Sequence, residues 1–490
     1  MPVRNYDQKT NYMFPPCLDD WCAPDHRARI FSDLVDRIDV SGLCEIKRMG
    51  CPRFAPRMMT KVLLWAYANG IRASRKIEEH LHSDVVYMWL SGRQTPDFRT
   101  ICDFRTANEA ALDSIFAQVV TMARMLGMAT LGLVALDGTK IRASAGIDSF
   151  KTVKEWNEAL AEAKQKVAEI MAEVERQDRL TAAELGDEPS AVKLPDSLAT
   201  AERRAAKIEA LLAHLPEGID ETTLISSTDP DARFLHTPTG SMPAYNAELV
   251  VTPDQIVVGA GLTNEPVDQN QLKPGLEMAE RVCGEKPVQV VADCGFNRGE
   301  NLKYMEEQRL DGYIPESAEK NIGKDLRARP ELFGKAQFQY DAEHDCYRCP
   351  AGETMCRVNR LKRRSKYAHQ EVMTYRAERG KCLKCPLKAQ CTRSKNPVGR
   401  SVTRDDYEEE RTRMRAKLKA PAGRAIYARR KTIAEPTIGQ IKVTGGLRQF
   451  LLRGLRKVTM EWTWATAAHS LLKITRRVDD GTVELAWAGC

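Results

Sequence analysis

Apolar residues near the start of the chain recur at helical spacing. The run from Met58 to Ala68 follows Pro56 and stops at Asn69-Gly70, a dipeptide that commonly ends a helix. A second run, Ser74 to Leu81, begins four residues later. The pair is compatible with a helix-turn-helix that binds DNA, although packed helical pairs of this kind are common. We therefore expect residues 1–127 to form an N-terminal helical DNA-binding region.

Two longer stretches carry apolar residues at alternating spacings of three and four. The first runs from Val153 to Val174 and the second from Leu198 to Leu215, with charged residues around both seams. The segment Gly186 to Pro195 provides a break between them. This spacing is typical of coiled coils and predicts an antiparallel helical hairpin, inserted as an arm over residues 151–222.

Short apolar runs suited to buried strands flank this arm. The run Leu131 to Leu136 enters Asp137-Gly138, which predicts a strand, a turn and a second strand over Thr139 to Ala143. After the arm, three more runs predict strands, the last of which ends before Asp293: Ala247 to Val251, Ile256 to Leu262 and Val288 to Ala292. A helix near Gly299 to Gln308 completes a mixed α/β pattern. We expect two parts of one core, over residues 128–150 and 223–335.

The rest of the chain divides into two parts. Residues 340–395 read as irregular, basic and cysteine-rich, so we expect a Cys-rich insertion over residues 336–400. The end is helical again, including Trp462 to Ile474, and residues 401–490 would supply the third part of the core and C-terminal helices. The fold class expected is therefore a multi-domain α+β protein with a mixed sheet flanked by helices.

Length and composition agree with several domains. The chain has 490 residues, of which 43% are hydrophobic and 29% charged, as in globular proteins that bury a core. No run approaches the roughly 18 apolar residues of a membrane span, and the N-terminus lacks the apolar region of a signal peptide. We expect a cytoplasmic protein without membrane contact, whose 14 cysteines are reduced thiols or metal ligands.

The net charge of +7 conceals a strong asymmetry. Residues 351–460 hold 29 Lys and Arg against 9 Asp and Glu, a net charge of +20, so the remainder is at −13. A solvated surface normally mixes both signs, whereas a basic block of this size suits a polyanion. The pattern favours nucleic acid as the partner.

Two acids follow separate apolar runs, and this position can carry metal chemistry. Either Asp137 or Asp293 alone is more simply a turn former, but together with the basic block they suggest a shared divalent metal site. Phosphoryl transfer on nucleic acid uses oxygen ligands that hold two Mg²⁺ ions, and Mn²⁺ could replace them. Glu435 is the candidate third acid, and Lys431 and Lys442 would share its face on a continuous helix. Pro436 would kink or restart that helix.

Rival acids precede the strands that follow the arm. They are Asp229 and Asp231, within Thr228-Asp-Pro-Asp. Because Asp-Pro in a loop is usually a turn or a cap, we expect that role for both.

The acidic motifs together resemble those of the DDE transposases of bacterial insertion sequences. Ala-Leu-Asp137-Gly-Thr-Lys, Val-Val-Ala-Asp293-Cys-Gly, and Tyr427-x-x-Arg430 followed by Glu435-Pro-x-x-Gly-Gln-Ile-Lys442 are similar to the three motifs in order. Segments near both ends, from Arg57 and from Leu452, resemble the helical N-terminal domain and the C-terminal tail. The resemblance covers nearly the whole chain and implies an RNase H-like catalytic fold.

The resemblance also implies roles for individual residues. Asp137, Asp293 and Glu435 would hold the Mg²⁺ ions, while Tyr427, Arg430 and Lys442 would orient phosphates or a flipped DNA end. The family pattern places three residues between the arginine and the glutamate, whereas four separate Arg430 from Glu435 here. Lys431 occupies the three-residue spacing, so both cations are candidates for the arginine's part.

Cysteines in the basic segment form two Cys-x-x-Cys pairs. They are Cys346 with Cys349, and Cys382 with Cys385; Cys356, Cys391 and His369 are further candidates. Thiolate ligation of structural Zn²⁺ would stabilise a zinc-ribbon-like segment that has little core. The gap between the pairs is longer than usual, and reduced thiols remain the alternative.

The motifs and the charge lead to one hypothesis with two rivals. A DNA transposase would cut at the ends of an insertion sequence and transfer the freed 3′-hydroxyl to target DNA. Its partners would be double-stranded DNA, as inverted repeats and as target, and at least a second copy of the chain to hold two ends together. The rivals are a DNA-binding regulator or inactive descendant, and a metal-dependent nuclease that does not join strands.

Overall fold

The computed structural model describes residues 17–43, 53–185, 196–237, 240–316, 332–365, 368–393, 395–396 and 399–484. The segment expected to break the helical hairpin, Gly186 to Pro195, lies outside these residues. None of the helices in the described part of the chain combines the length and the apolar character that crossing a membrane requires.

Six helices form the N-terminal region, as the apolar spacing predicts. They are α1 (Arg27–Asp36), α2 (Pro56–Ala68), α3 (Ser74–Ser83), α4 (Val85–Leu90), α5 (Phe98–Ala107) and α6 (Glu109–Met125). Pro56 opens α2, where a missing backbone donor costs nothing, and Asp97 caps α5 by accepting from the Thr100 amide. The buried side chains of these helices belong to the same hydrophobic core as the first sheet.

A mixed sheet of six strands follows. Its strands are β1 (Leu133–Arg142), β4 (Arg233–Thr237), β5 (Gly240–Val251), β6 (Val257–Thr263), β7 (Gln289–Ala292) and β8 (Asp311–Tyr313). Two short strands between β1 and β4 in the chain, β2 (Phe150–Thr152) and β3 (Leu224–Ser226), lie outside this sheet. Their order is β4-β5-β1-β7-β8, and β6 also pairs with β5. β5 is antiparallel to β1 and to β6, whereas β7 and β8 run parallel to β1. β1 therefore lies where an antiparallel half meets a parallel half.

The turn predicted at Asp137-Gly138 is wrong. β1 continues through both residues, and β5 pairs with it from Ala135 to Arg142. This long-range pairing overrides the local preference of Asp-Gly for a turn. The parallel partner β7 ends opposite Leu136, so Asp137 is the first residue of β1 beyond it. Asp137 and Asp293 therefore each follow the last paired position of the neighbouring parallel strands β1 and β7.

The arm is a helical hairpin on a small two-stranded base. Its helices are α7 (Val153–Leu185) and α8 (Asp196–Ala213), and β2 pairs with β3 where the arm joins the sheet. Buried Val153, Trp156 and Ile208 form a separate small core at this base. Two more helices, α9 (Leu272–Cys283) and α10 (Gly299–Glu307), connect the strands of the main sheet.

The segment expected to be irregular is a second sheet, so that prediction is wrong. It has five antiparallel strands in the order β13-β12-β11-β10-β9: β9 (Gln339–Asp341), β10 (Cys346–Arg348), β11 (Thr354–Ser365), β12 (Ala368–Arg376) and β13 (Ser401–Asp405). Its own small core includes Tyr347, Met355, Tyr375 and Val402. Frequent Arg and Lys residues hide the alternation of apolar residues that would have revealed the strands.

The end of the chain returns to the first core. A short helix, α11 (Lys388–Cys391), still belongs to the second sheet's part of the chain; after β13 come α12 (Glu408–Lys419), α13 (Pro421–Ala428), α14 (Arg430–Gly439) and α15 (Leu455–Asp479). A π-helical turn, Gln440–Thr444, extends α14. α15 is buried along most of its length, with Trp462 and Trp464 fully enclosed. Packing of α15 against α2, α6 and β6 thus joins the two ends of the chain around one core.

Candidate active site

Asp137 is held in the middle of a strand next to a helix from the far end of the chain. Its side chain is 13% exposed, and its Oδ1 accepts a hydrogen bond from the Gly138 amide at 3.0 Å. α14 packs against both β1 and β5. The Asp137 carboxylate therefore faces the helix that carries Glu435.

Arg430 joins two of the three predicted acids. Its Nη1 donates to Asp137 Oδ2 at 2.7 Å, and its Nη2 donates to Glu435 Oε1 at 2.9 Å. The guanidinium is 9% exposed, whereas the Glu435 side chain is 49% exposed. Two carboxylates almost 300 positions apart in the chain are thus separated by no more than one guanidinium group and its hydrogen bonds.

Asp293 lies at the end of β7, beside the Asp137 end of the parallel pairing. Its Oδ1 accepts from the Gly295 amide at 2.7 Å and so caps the short turn Cys294–Phe296. The negative charge of Asp293 contributes to raising the pKa of Asp137 and that of Arg430. The charge of Asp293 therefore acts on both Asp137 and Arg430.

Burial is the main influence on Asp137. It raises the pKa of the carboxyl to about 6, against the opposing charge of Arg430. The negative charges of Asp293 and Glu435 add to the rise. Burial alone would lower the pKa of Arg430, but the charges of Asp137, Tyr427, Asp293 and Glu435 raise it. Arg430 consequently stays charged and neutralises the acids around it.

Arg430 and Lys431, the two candidates for the role of the family's arginine, have different surroundings. Arg430 contacts both acids, whereas Lys431 is exposed on the outer face of α14. The contact spans five positions, one more than the family spacing. Pro436 lies inside α14 without ending it, and the π-helical turn follows directly.

Along the chain, Tyr427 precedes α14 and Lys442 follows it. Lys442 belongs to the π-helical turn, and its Nζ donates to Thr139 Oγ1 at 2.6 Å and to the Lys140 carbonyl at 2.9 Å. Burial and the charge of Lys140 lower the pKa of Lys442. Tyr427 is half-buried on α13. Lys442 therefore ties the helix to β1 two residues beyond Asp137, and it does not pair with Glu435.

As they stand, the acids do not form a metal site. No three His, Cys, Asp or Glu side chains among the described residues are placed to share one ion. Arg430 supplies the reason at Asp137 and Glu435, since its guanidinium bonds to the oxygens that a cation would need. Carboxylate oxygens are the donors that Mg²⁺ and Mn²⁺ prefer, so the chemistry of these side chains suits a hard divalent ion.

The basic segment uses part of its charge internally. On α12, Arg411, Arg413, Arg415 and Lys417 form ion pairs with acids of the fold. Next to the site, by contrast, Arg424, Arg429 and Lys431 are exposed and make no ion pair within the described residues. Some of the unpaired cations of the described basic segment therefore lie on α13 and around the start of α14, the helix that carries Glu435.

The cysteines are grouped differently from the sequence prediction. Cys349, Cys382, Cys385 and Cys391 line one cavity beside the second sheet. Burial raises the pKa of Cys391, and the neighbouring Cys382, Cys349 and Cys385 add to the rise. Cys346 instead lies opposite Cys356 across β10 and β11, and does not line this cavity. Cys391, which the sequence offered only as a further candidate, lines this cavity and Cys346 does not.

The rival acids are caps, as predicted. Asp229 accepts hydrogen bonds from the Tyr245 hydroxyl at 2.6 Å and the Gly454 amide at 3.0 Å. Asp231 accepts from the Leu455 amide at 2.7 Å. Both carboxylates satisfy free amides at the start of α15, where no helical partner exists.

Two further acids near the site were not identified from the sequence. Glu248 lies on β5 opposite Gly138, and Asp268 precedes α9. A charged residue inside the apolar run from Ala247 to Val251 was the available sign, because a buried strand rarely carries one.

Two stretches of the chain match known protein families. Residues 348–475 match a family described as a transposase DDE domain, and residues 16–107 match one described as a transposase domain (DUF772). The first match contains Tyr427, Arg430, Glu435 and Lys442, whereas Asp137 and Asp293 lie outside both. No protein of curated function matches the chain. The two matches support a DDE transposase of the insertion-sequence type.

Proposed function

We propose that this chain cuts DNA at the ends of an insertion sequence and joins the freed 3′ ends to target DNA, in a reaction that depends on divalent metal. The observation that carries the proposal is the Arg430 bridge between Asp137 and Glu435, beside Asp293. Two acids almost 300 positions apart are brought together there, and Arg430, the buried cation that contacts both, belongs to the same motif as Glu435.

The strand order supports an RNase H-like core. Let β1, β5, β6, β7 and β8 be core strands 1 to 5 in chain order. Their order across the sheet is then 3-2-1-4-5, with antiparallel pairing on the β5 side of β1 and parallel pairing on its β7 side. Ligands of open α/β sheets lie at the carboxyl ends of parallel strands, where the strand order reverses. Asp293 follows the carboxyl end of β7, and Asp137, within β1, lies one residue beyond the last position that pairs with β7. The arm and the second sheet would then be insertions into this core.

The proposed reaction has two steps at one phosphate-binding cleft. Water attacks a phosphodiester and breaks its bond to the 3′ oxygen, which leaves as a 3′-hydroxyl. That hydroxyl then attacks a phosphodiester of target DNA, and a second 3′ oxygen leaves. A pair of bound divalent cations would activate the attacking oxygen and stabilise the leaving one. No covalent link to the protein is needed.

Residues of this chain would prepare the cleft for both steps. Asp137, Asp293 and Glu435 would supply the oxygen ligands after Arg430 swings from them toward a phosphate. Exposed Arg424, Arg429 and Lys431 would attract the DNA backbone, whose contacts release counterions. Lys442 would keep α14 against β1, and Tyr427 would orient the DNA end.

The direct test compares substitutions at two aspartates, Asp137 within β1 and Asp148 in the short helical turn that follows β1. Asp137→Asn keeps the shape of the side chain but removes its charge, and should abolish Mn²⁺-dependent nicking of a duplex that carries the element end. Asp148→Asn, at an exposed position after β1, is the matched control and should cut normally. Binding of the end DNA should survive in both variants. Equal behaviour of Asp137→Asn and the wild-type chain would favour the regulator.

Strand joining separates a transposase from a nuclease. Ends with a preformed 3′-hydroxyl, supplied with supercoiled target DNA, should be joined by the wild-type chain. Cutting without joining would favour the nuclease. Two ends must be held together, so the joining complex should contain at least two copies of the chain, which mass measurement of the DNA complex would reveal.

The second sheet is proposed to hold a structural Zn²⁺ ion. Its ligands would be the thiolates of Cys349, Cys382, Cys385 and Cys391, which share one cavity. Four thiolates are a common structural zinc set, and binding requires the thiols to turn toward one point and lose their protons.

A further inference from the structure

A buried acid without a partner lies behind Asp137. Glu248 is 2% exposed, and neither of its carboxylate oxygens has a hydrogen-bond partner within the described residues. It pairs with Gly138 across β1 and β5, so its side chain lies on the opposite face of the sheet from Asp137. A buried carboxyl without a donor is expensive unless it carries a proton or meets another polar group.

Asp268 is the polar group next to it. Its Oδ1 accepts from Lys140 Nζ at 2.6 Å and from Asn246 Nδ2 at 2.7 Å, so Asp268 ties β1 to β5. The pKa of Glu248 is raised well above its usual range, first by burial and then by the charge of Asp268. Glu248 in its neutral form can donate to Asp268, and the pair then satisfies itself.

Each acid of this pair touches a glycine that follows a predicted metal ligand. A Cβ added at Gly138 would lie 2.6 Å from Glu248 Oε2 and 2.7 Å from Oε1. A Cβ added at Gly295 would lie 2.9 Å from Asp268 Oδ2. Gly138 follows Asp137 directly, and Gly295 donates its amide to Asp293. Both contacts require the absence of a side chain.

We propose that Glu248 and Asp268 are positioning residues, which brace the backbone behind Asp137 and Asp293 and so set the separation of these two carboxylates. The proposal rests on the proposed function, because it assumes that the two aspartates bind a metal together. Neither positioning residue touches the reacting atoms. Glu248 would act on Asp137 through Gly138. Asp268 would act on Asp293 through Gly295, and on β1 through Lys140.

Metal affinity tests the proposal without requiring catalysis. Calorimetric titration of the full chain with Mn²⁺ measures the affinity. The Asp268→Asn variant should bind Mn²⁺ about 10- to 100-fold more weakly than the wild-type chain, the usual effect of changing a residue that supports a metal ligand. Glu248→Gln keeps the size and a donor toward Asp268, and should bind Mn²⁺ within about twofold of the wild-type chain. A loss of tenfold or more in Glu248→Gln would contradict the neutral pair.

A pair of glycine variants tests the geometry. Gly138→Ala forces Glu248 to move and should weaken Mn²⁺ binding, and Glu248→Ala, which removes the brace behind Asp137, should weaken it as well. Gly146→Ala is the matched control, because a Cβ there meets nothing within 4 Å and should leave the affinity unchanged. If Asp268→Asn fails to fold, this pair decides the question, since it alters no charge on Asp268.

The outcomes separate this inference from the function on which it rests. A wild-type chain that binds no Mn²⁺ would overturn the proposed metal site and the inference with it. A wild-type chain that binds Mn²⁺ and cuts DNA, with unchanged affinity in both Asp268→Asn and Gly138→Ala, would overturn the inference alone.

Discussion

The acids and the cysteines of this protein are held by cores of very different size. Asp137 lies on a strand whose neighbours, Leu136 and Ile141, are fully buried in the core that joins both ends of the chain. The cysteine cavity borders a second core with few fully buried side chains, including Tyr375. Packing alone can therefore fix the positions of the acids before any ligand arrives. The cysteine-lined sheet has less packing energy available and gains more from a bound metal.

Removing the proposed zinc should have the largest effect and should be confined to the second sheet. Cys391→Ser should lower the zinc content from about one ion per chain to nearly none, and should open the second sheet to proteolysis. Cys356→Ser, at an exposed position outside the cavity, is the matched control and should retain the metal. Elemental analysis of the purified chains measures this. If the wild-type protein contains no zinc, the second sheet does not depend on a metal, and the proposed contrast with the main sheet is wrong.

Aromatic truncations should show whether the two cores are independent. Trp462→Ala in α15 should lower the free energy of unfolding of the main core by about 3–5 kcal/mol, as is usual for a large buried side chain. Phe338→Ala makes the corresponding change in the second core. Hydrogen exchange should become faster mainly in the core that contains the substituted residue. Equal acceleration in both sheets after either substitution would mean that they form one cooperative unit.

Arg430 should oppose metal binding while supporting cleavage. Arg430→Gln removes the cation that occupies Asp137 and Glu435, so Mn²⁺ should bind several-fold more tightly to the variant than to the wild-type chain. DNA cleavage should nevertheless fall, because the guanidinium is proposed to move to a phosphate. Calorimetry and a nicking assay on the same preparations measure the two effects. Weaker Mn²⁺ binding in the variant would show that Arg430 does not compete with the metal.

The raised pKa of Asp137 predicts a smaller dependence on pH. Above pH 6 the carboxyl is ionised and Mn²⁺ affinity should be nearly constant; below pH 6 a proton competes with the metal, and affinity should fall as the pH decreases. The folded chain also holds this proton more tightly than the unfolded chain does. Ionised Asp137 therefore lowers stability above pH 6, and this penalty fades as the pH falls toward 4. Affinity that is unchanged between pH 5 and 7 would contradict the assignment.

Local patterns predicted the helices and the hairpin arm well, because their apolar spacing is repeated over many residues. The positions of Asp137 and Asp293 after apolar runs made them candidates, with Glu435 as the third acid, and the resemblance gave all three a role; in the structure Arg430 joins Asp137 to Glu435. The continuous path of β1 could not be predicted, because pairing with a strand 100 residues away overrides the Asp-Gly turn preference. The Glu248 and Asp268 pair was missed for the same reason, since only the strand register places it behind Gly138.

The most direct test of the shared metal site is cleavage of the protein's own backbone by bound iron. Fe²⁺ with ascorbate and peroxide produces hydroxyl radicals at the metal, and mass spectrometry locates the resulting cuts. The account predicts cuts in three separate places, close to Asp137, Asp293 and Glu435, all suppressed by excess Mg²⁺. Cuts near only one of these residues, or cuts that Mg²⁺ does not suppress, would contradict a site shared by the three acids.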